Sequence, residues 1–260
     1  MSAIARLQHF AIRLARQYAL RVREPETIRL FRPSCRLGWS HALPGMYGGI
    51  FVSGEYAPPV AMPARPRIVD LGTFIGLASI WFLEEFPDCR LICVEANPYT
   101  FRVLEKNMAS YLGGRDRDVT LLNKAVADRP GTATLTVNAA QPVNVATHLG
   151  ARPDMGWRVE EVDVPLVDFH EMLAEPIDFL KMDIEGAEYP LLAMDDFNPD
   201  SVRAMSLEIH DIPDHQSEIR AFCDRVAQAD GYRISTITGR PVSVDQILAE
   251  PESAVFKFFR

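Results

Sequence analysis

The stretch Arg67-Ile68-Val69-Asp70-Leu71-Gly72-Thr73-Phe74-Ile75-Gly76 constrains the fold of this chain more than any other. A β-branched apolar run ends in an acid, a glycine-spaced turn follows at once, and an apolar helical pattern covers residues 77–86. Strand, tight turn and helix in that order are the opening unit of a doubly wound α/β sheet, whose turns lie at the carboxyl edge of the strands where ligands bind. Glycine there lets backbone approach a ligand that a side chain would exclude. A dinucleotide fingerprint requires G-x-G-x-x-G, with backbone amides facing a pyrophosphate. Here the order is Asp-x-Gly-x-x-x-Gly. A carboxylate at the start of the loop repels a pyrophosphate and suits a ligand carrying an ammonium or sulfonium charge. S-adenosylmethionine carries both.

The 260 residues, 48% of them apolar, supply one large core. The expected organisation is an N-terminal helical and loop extension over residues 1–66 and an α/β domain over residues 67–260. A net charge of -8 argues against nucleic acid as a partner, which calls for a basic stripe. Small metabolites or carbohydrates fit better. The four cysteines, Cys35, Cys89, Cys93 and Cys223, form neither a C-x-x-C pair nor a zinc-ligand pattern, and read as free buried thiols in a reducing cytosol. No apolar run reaches the roughly 20 residues that span a bilayer, and Arg6, His9, Arg13 and Arg16 interrupt the N-terminal apolar pattern. A soluble, cytoplasmic protein is expected.

Residues 2–23 contain no acid, and Ile4, Leu7, Ala11, Leu14 and Tyr18 recur at helical spacing between arginines. This basic amphipathic helix is expected to pack on the main domain, in preference to an anionic membrane surface or a partner. Residues 24–66 are rich in proline and glycine and show no period. Their aromatics Trp39, Tyr47, Phe51 and Tyr56 point to a cover over the ligand crevice rather than a bare linker.

A second buried strand, residues 90–95, ends in Glu95, followed by Asn97 as a helix cap and Pro98 in the first helical turn. An acid ending the second strand of a doubly wound sheet reaches the ribose hydroxyls of a nucleoside ligand. Further strands are expected at residues 119–123, 131–137, 159–167, 204–211, 232–237 and 254–259, helices at 168–173 and 217–229, and a ligand-side loop at 138–157.

The other stretch with chemical content is Lys181-Met182-Asp183-Ile184-Glu185-Gly186-Ala187-Glu188. Complementarity to a helix dipole accounts for Glu188 and Glu185. It does not account for Asp183, which ends a buried strand and needs Lys181 or a ligand as partner. His210 stands at the end of the following strand, where an unperturbed pKa of about 6.5 suits a general base.

With Asp70-Leu-Gly-Thr-Phe-Ile-Gly76, Val94-Glu95-Ala-Asn-Pro98 and Phe179-Leu-Lys-Met-Asp-Ile-Glu-Gly-Ala-Glu188 together, residues 68–210 resemble the FkbM family of S-adenosylmethionine-dependent methyltransferases. The resemblance implies a class I fold, a Rossmann-like seven-stranded, mostly parallel sheet with an antiparallel last strand. It implies methyl transfer, usually to a hydroxyl oxygen of a secondary metabolite or sugar. On this basis Asp70, Gly72 and Gly76 line the methionine end of the cofactor, Glu95 holds its ribose, and Thr73 and Asp183 complete the cofactor set. The loop departs from the family's usual Ala-Asn at Thr73-Phe74. An alcohol acceptor must lose a proton, so a base is expected, and His210 and Asp183 are the catalytic candidates. A divalent metal on Asp183, Glu185 and His210 is chemically permitted, but a metal-free site is preferred. Two alternatives remain, a nicotinamide-dependent oxidoreductase and a noncatalytic nucleoside-binding subunit of the same fold.

Overall fold

The computed structural model describes residues 27–31, 34–38, 42–143, 148–149, 158–227 and 232–260. The expected basic helix at residues 2–23, Trp39 and the end of the expected 217–229 helix lie outside the described residues, as does most of the 138–157 segment.

The first described element is a hairpin, β1 (Thr27–Phe31) with β2 (Ser34–Gly38), two short alternating runs that the expected proline-rich cover did not include as strands. Helix α1 (Leu43–Tyr47) runs directly into a π-helical turn, Gly48–Ser53. Then comes the alternation read from the sequence: β3 (Arg67–Leu71), α2 (Leu77–Glu85), β4 (Arg90–Val94), α3 (Pro98–Leu112) and β5 (Val119–Leu122). Helix α3 starts where expected, the Asn97 side chain accepting hydrogen bonds from the amides of Tyr99 and Thr100 at 3.0 and 3.4 Å. It ends on Gly113 in the left-handed conformation.

Three short to long strands follow, β6 (Ala125–Ala127), β7 (Gly131–Asn138) and β8 (His148–Leu149), then β9 (Val159–Asp168). The second half of the main sheet is β10 (Phe179–Met182), β11 (Ala204–Ile209), β12 (Arg233–Thr236) and β13 (Ala254–Phe259). Between these lie α4 (Phe169–Leu173), α5 (Glu188–Leu192), α6 (Gln216–Ala227) and α7 (Val244–Leu248), the last absent from the sequence reading.

The seven-stranded sheet has the order β12-β13-β11-β10-β3-β4-β5. Strands β11, β10, β3, β4 and β5 are parallel, and β13 inserts antiparallel between β11 and β12. The order reverses at β3 and β10, so the crevice outside their carboxyl ends is the topological switch point of the sheet. The alternating strands at 131–138 and 159–168 do not join this sheet. They pair antiparallel with each other in a separate four-stranded sheet, β6-β9-β7-β8, which explains their half-exposed pattern.

Alternation along the central strands divides the core into two layers. Val69, Leu71, Leu180, Met182, Met205 and Leu207 face α4, α5 and α6. Ile68, Leu91, Cys93, Phe179 and Ala204 face α2 and α3, and on that same side pack Leu43, Tyr47, Ile50 and Tyr56. The N-terminal segment therefore covers the face on which Asp70 and Lys181 lie.

Candidate active site

Pairing register places Asp70 beside Lys181 and Lys181 beside Ser206 on neighbouring strands. Residues two positions further along a strand point the same way, so Asp183 follows Lys181, and Glu208 and His210 follow Ser206, toward one side of the carboxyl edge. The clustering of these polar groups is a consequence of strand parity.

Lys181 is the hub. Its side chain is 3% exposed, and Nζ donates to the carbonyls of Gly72 (2.6 Å) and Leu71 (3.2 Å). The same nitrogen lies 3.4 Å from Asp70 Oδ1 and 3.6 Å from Asp183 Oδ2. Burial opposes its charge, but Asp183 and Asp70 outweigh burial and raise its pKa, so it stays a cation. The partner expected for Asp183 is therefore present. The Tyr56 ring stands 5.2 Å from Nζ, and its hydroxyl donates to Asp183 Oδ2 (3.3 Å) or Glu208 Oε2 (3.4 Å). Lys257 holds the turn that carries this tyrosine, donating to the carbonyls of Ala57 (2.7 Å) and Gly54 (3.3 Å).

A cavity of about 370 Å³ opens at the switch point. It is bounded by the Gly72–Phe74 turn, by Glu95, by Asp183, Glu185 and Glu208, and by Met46, Ile50, Glu55 and Tyr56 of the N-terminal segment. Of the residues expected from sequence, Gly72, Thr73, Glu95 and Asp183 line it.

Asp70, Gly76 and His210 stand outside that lining, each for a physical reason. Asp70 is fully buried beneath the turn, Oδ2 accepting from Ser79 Oγ at 2.6 Å and Oδ1 facing Lys181. It anchors the loop from below. Gly76, at φ +93°, begins α2 where a Cβ would come within 2.8 Å of Leu104 Cδ1, so its role is the packing of α2 against α3. His210 turns toward Glu188, with Nδ1 2.9 Å from Glu188 Oε1. Burial disfavours its charge, yet the Glu188 hydrogen bond and the charges of Glu188, Glu185 and Asp183 prevail and raise its pKa to about 9. With no cation at Nε2, this environment favours the imidazolium at neutral pH over the free base that an ordinary pKa implies.

Gly72 gives room for a ligand, and the structure supplies a second reason for glycine there. At φ +73°, a Cβ would fall 1.6 Å from the carbonyl oxygen of Asp183. The first turn and the Asp183 turn are thus in backbone contact, and no side chain fits between them.

Glu95 ends β4 in the cavity wall and is 9% exposed. Its oxygens accept from the amides of Phe74 and Asn97, both at 2.8 Å. Burial raises its pKa to about 7 despite these bonds. Each carboxylate oxygen has two lone pairs, so one acceptor position per oxygen remains for a diol. Phe74 adopts φ +53°, a left-handed conformation that aims its amide at Glu95 and turns its ring into the cavity lining. Burial followed by repulsion from Asp183 raises Glu185 and Glu208 to about 7 as well. The wall is acid-rich and apolar at once, Val94, Val126, Leu135 and Ile184 completing it. Such a set fits a nucleoside with a cationic tail: a diol acceptor, apolar faces, and carboxylates for ammonium and sulfonium.

Sequence reading places Tyr56 in a cover over the crevice without giving it a role at the acids, and misses Glu208. Strand parity from Ser206 identifies Glu208 in retrospect; no local signal marks Tyr56, which reaches the site from 127 residues away along the chain.

Sheet order, the glycine turn after β3 and the acid closing β4 define a class I S-adenosylmethionine-dependent methyltransferase domain. Residues 70–234 match the model of the Methyltransferase FkbM domain. The chain belongs to the FkbM methyltransferase family. It is 26% identical over 203 residues to Methyltransferase sdnD of Sordaria araneosa, covering 67% of this chain and 76% of that one. It is 26% identical over 168 residues to Methyltransferase 1 of Beauveria bassiana, covering 57% and 66% respectively. Among solved structures, the methyltransferase FkbM from Methylobacillus flagellatus aligns with a TM-score of 0.46 and 13% identity, over 77% of this chain and 45% of that chain. Among the described residues, no helix is long and apolar enough to cross a membrane.

Proposed function

We propose that this protein transfers a methyl group from S-adenosylmethionine to a hydroxyl oxygen of a small metabolite or sugar. The observation that carries the reading is the composition of the cavity wall. Glu95 offers hydrogen-bond acceptors, Asp183, Glu185 and Glu208 present further carboxylates, and of the two lysines in the lining, Lys124 and Lys181, the buried Lys181 is already engaged by Asp70 and Asp183. A phosphorylated acceptor would meet repulsion there, whereas a neutral hydroxyl finds acceptors.

Bound S-adenosylmethionine supplies an electrophilic methyl on a positively charged sulfur. The protein's part is to orient and to exclude water, which together can contribute about 7–11 kcal/mol when the reacting atoms are aligned. Glu95 accepts the ribose hydroxyls, Gly72 and Thr73 form the floor, and the segment from Met46 to Tyr56 covers the crevice. Asp183, held by Lys181 and Tyr56, takes the hydrogen bond of the acceptor hydroxyl together with Glu208, and this carboxylate pair receives the hydroxyl proton as the oxygen–methyl bond forms and the sulfur–methyl bond breaks. His210 supports this edge from behind.

Incubation of the purified chain with methyl-labelled S-adenosylmethionine and a panel of hydroxylated metabolites and sugars tests the reading. The expected result is label on an oxygen of one acceptor class with equal release of S-adenosylhomocysteine. Label on nitrogen or carbon, or saturable binding of NAD in place of S-adenosylmethionine, overturns it.

A further inference from the structure

We infer that Asp183, Glu185 and His210 form a binding site for one divalent metal cation of the Mn²⁺ class. One ligand atom from each lies within 4.8 Å of the others. Ligands on opposite sides of an ion at about 2.1 Å are about 4.2 Å apart, so the three atoms stand close to the spread that one ion bridges.

The orientation of the imidazole is the second observation. Glu188, whose side chain is 1% exposed, takes the Nδ1 side of His210 at 2.9 Å. That leaves Nε2 directed at carboxylates, 3.8 Å from Glu185 Oε2 and 3.9 Å from Glu208 Oε1, beyond hydrogen-bond length for both. A buried carboxylate behind one ring nitrogen, with the other nitrogen presented to oxygen donors, is the arrangement by which proteins orient a metal-binding histidine.

Asp183 is presented in a similar manner. Tyr56 and Lys181 both address Oδ2, and among the described residues Oδ1 accepts no hydrogen bond. Glu188 itself is locked in place, with Oε1 accepting from the amides of Ile184 and Gly186 at 3.3 Å each. The turn that carries Glu185 is thereby tied to the same carboxylate that orients His210. Buried charges of one sign are stable when paired or when they coordinate a metal. Two carboxylates and one imidazole suit a borderline-hard first-row dication better than a thiophilic one.

Asp183 and Glu185 also line the cavity, so the ion would present open coordination positions to it. On the methyl-transfer reading, to which this clause alone is tied, those positions take a hydroxyl or carboxylate oxygen of the acceptor.

The test is titration of the purified chain with MnCl₂ alone, followed by electron paramagnetic resonance and calorimetry, with uniformly ¹⁵N-histidine-labelled protein for hyperfine coupling. One Mn²⁺ per chain with histidine nitrogen coupling is expected. At least a tenfold loss of affinity is expected in Glu185→Gln and loss of the coupling in His210→Ala, both checked for folding by circular dichroism. Absence of stoichiometric binding, absence of nitrogen coupling, or affinity unchanged in a folded Glu185→Gln overturns the inference. The coupling on the unmutated chain decides the matter if a variant fails to fold. S-adenosylmethionine binding measured on the same samples separates the two readings: its loss with Mn²⁺ binding intact removes the proposed function and leaves the cation site standing.

Discussion

Lys181 and Asp70, register partners on adjacent parallel strands, form an ion pair at 3.4 Å in which the side chains are 3% and 0% exposed. Removing one member of a buried pair strands the other, at a cost of about 3–5 kcal/mol. Lys181→Met is expected to destabilise by this amount, because Asp183 also loses its cation. Lys181→Met combined with Asp70→Leu should recover part of the loss. A double-mutant cycle by urea denaturation measures the coupling, and additive losses contradict the pairing.

Much of this arrangement was legible in the sequence. Period and turn chemistry marked the central strands because each is a short, mostly apolar run with an acid at or beside its carboxyl end, Asp70, Glu95 and Asp183, even where Lys181 interrupts the run. The β1–β2 hairpin was passed over although Ile28 and Leu30, and Cys35 and Leu37, alternate with polar residues, because each run is only five residues long and Pro25, Pro33 and Pro44 surround them. The four-stranded side sheet was read as strands but not as a separate sheet, because alternation reports one solvated face and not which neighbour covers the other. Asp70 and Gly76 show a subtler gap: a motif position identifies residues the loop requires, and here both serve its packing. His210 shows another, since a histidine's charge depends on a carboxylate 22 residues away that spacing alone does not bring near it.

The two motif glycines differ in what they exclude. At Gly72 an added methyl meets the Asp183 carbonyl at 1.6 Å, a backbone atom, whereas at Gly76 it meets the flexible end of Leu104 at 2.8 Å. Both positions also carry the left-handed strain of about 1–2 kcal/mol. Gly76→Ala is expected to fold with a lowered melting temperature. Gly72→Ala is expected to separate the two turns and abolish cofactor binding, as calorimetry with S-adenosylmethionine would show.

Glu95 gives a pH signature. Its pKa in the fold is about 7, above the ordinary carboxyl value of 4.5. The folded state therefore holds this proton more tightly than the unfolded chain. Its contribution to stability is fully present below about 4.5 and is lost as pH rises through about 7. Ribose hydroxyls favour the ionised form, so binding runs the other way. Affinity for S-adenosylmethionine is expected to fall as pH drops below about 7, and Glu95→Gln should flatten that dependence. Glu95→Ala should weaken binding by about 1.5–3 kcal/mol. Titration calorimetry at pH 8 and pH 6 on the three proteins decides it, and an unchanged affinity in Glu95→Ala removes the residue from the cofactor set.

Tyr56 separates acceptor chemistry from cofactor binding. Its hydroxyl is within reach of Asp183 at 3.3 Å and Glu208 at 3.4 Å, and a single proton serves one of them at a time. Burial, followed by the charges of Asp183 and Glu208, raises its pKa well above the ordinary phenol range, so it remains a donor throughout the working pH range. In Tyr56→Phe the ring stays over Lys181 while the donor is lost. The carboxylates then face each other without it, and the geometry offered to an acceptor hydroxyl loosens. About a tenfold fall in turnover is expected, equivalent to about 1.4 kcal/mol in the barrier, with a smaller change in S-adenosylmethionine affinity because the Glu95 carboxylate makes its hydrogen bonds without Tyr56. Tyr56→Leu, which also removes the ring from Lys181, should lower stability as well. Equal turnover in Tyr56→Phe and the unmutated chain would show that the hydroxyl only fills space between two acids, and the acceptor edge would then rest on Asp183 and Glu208 alone.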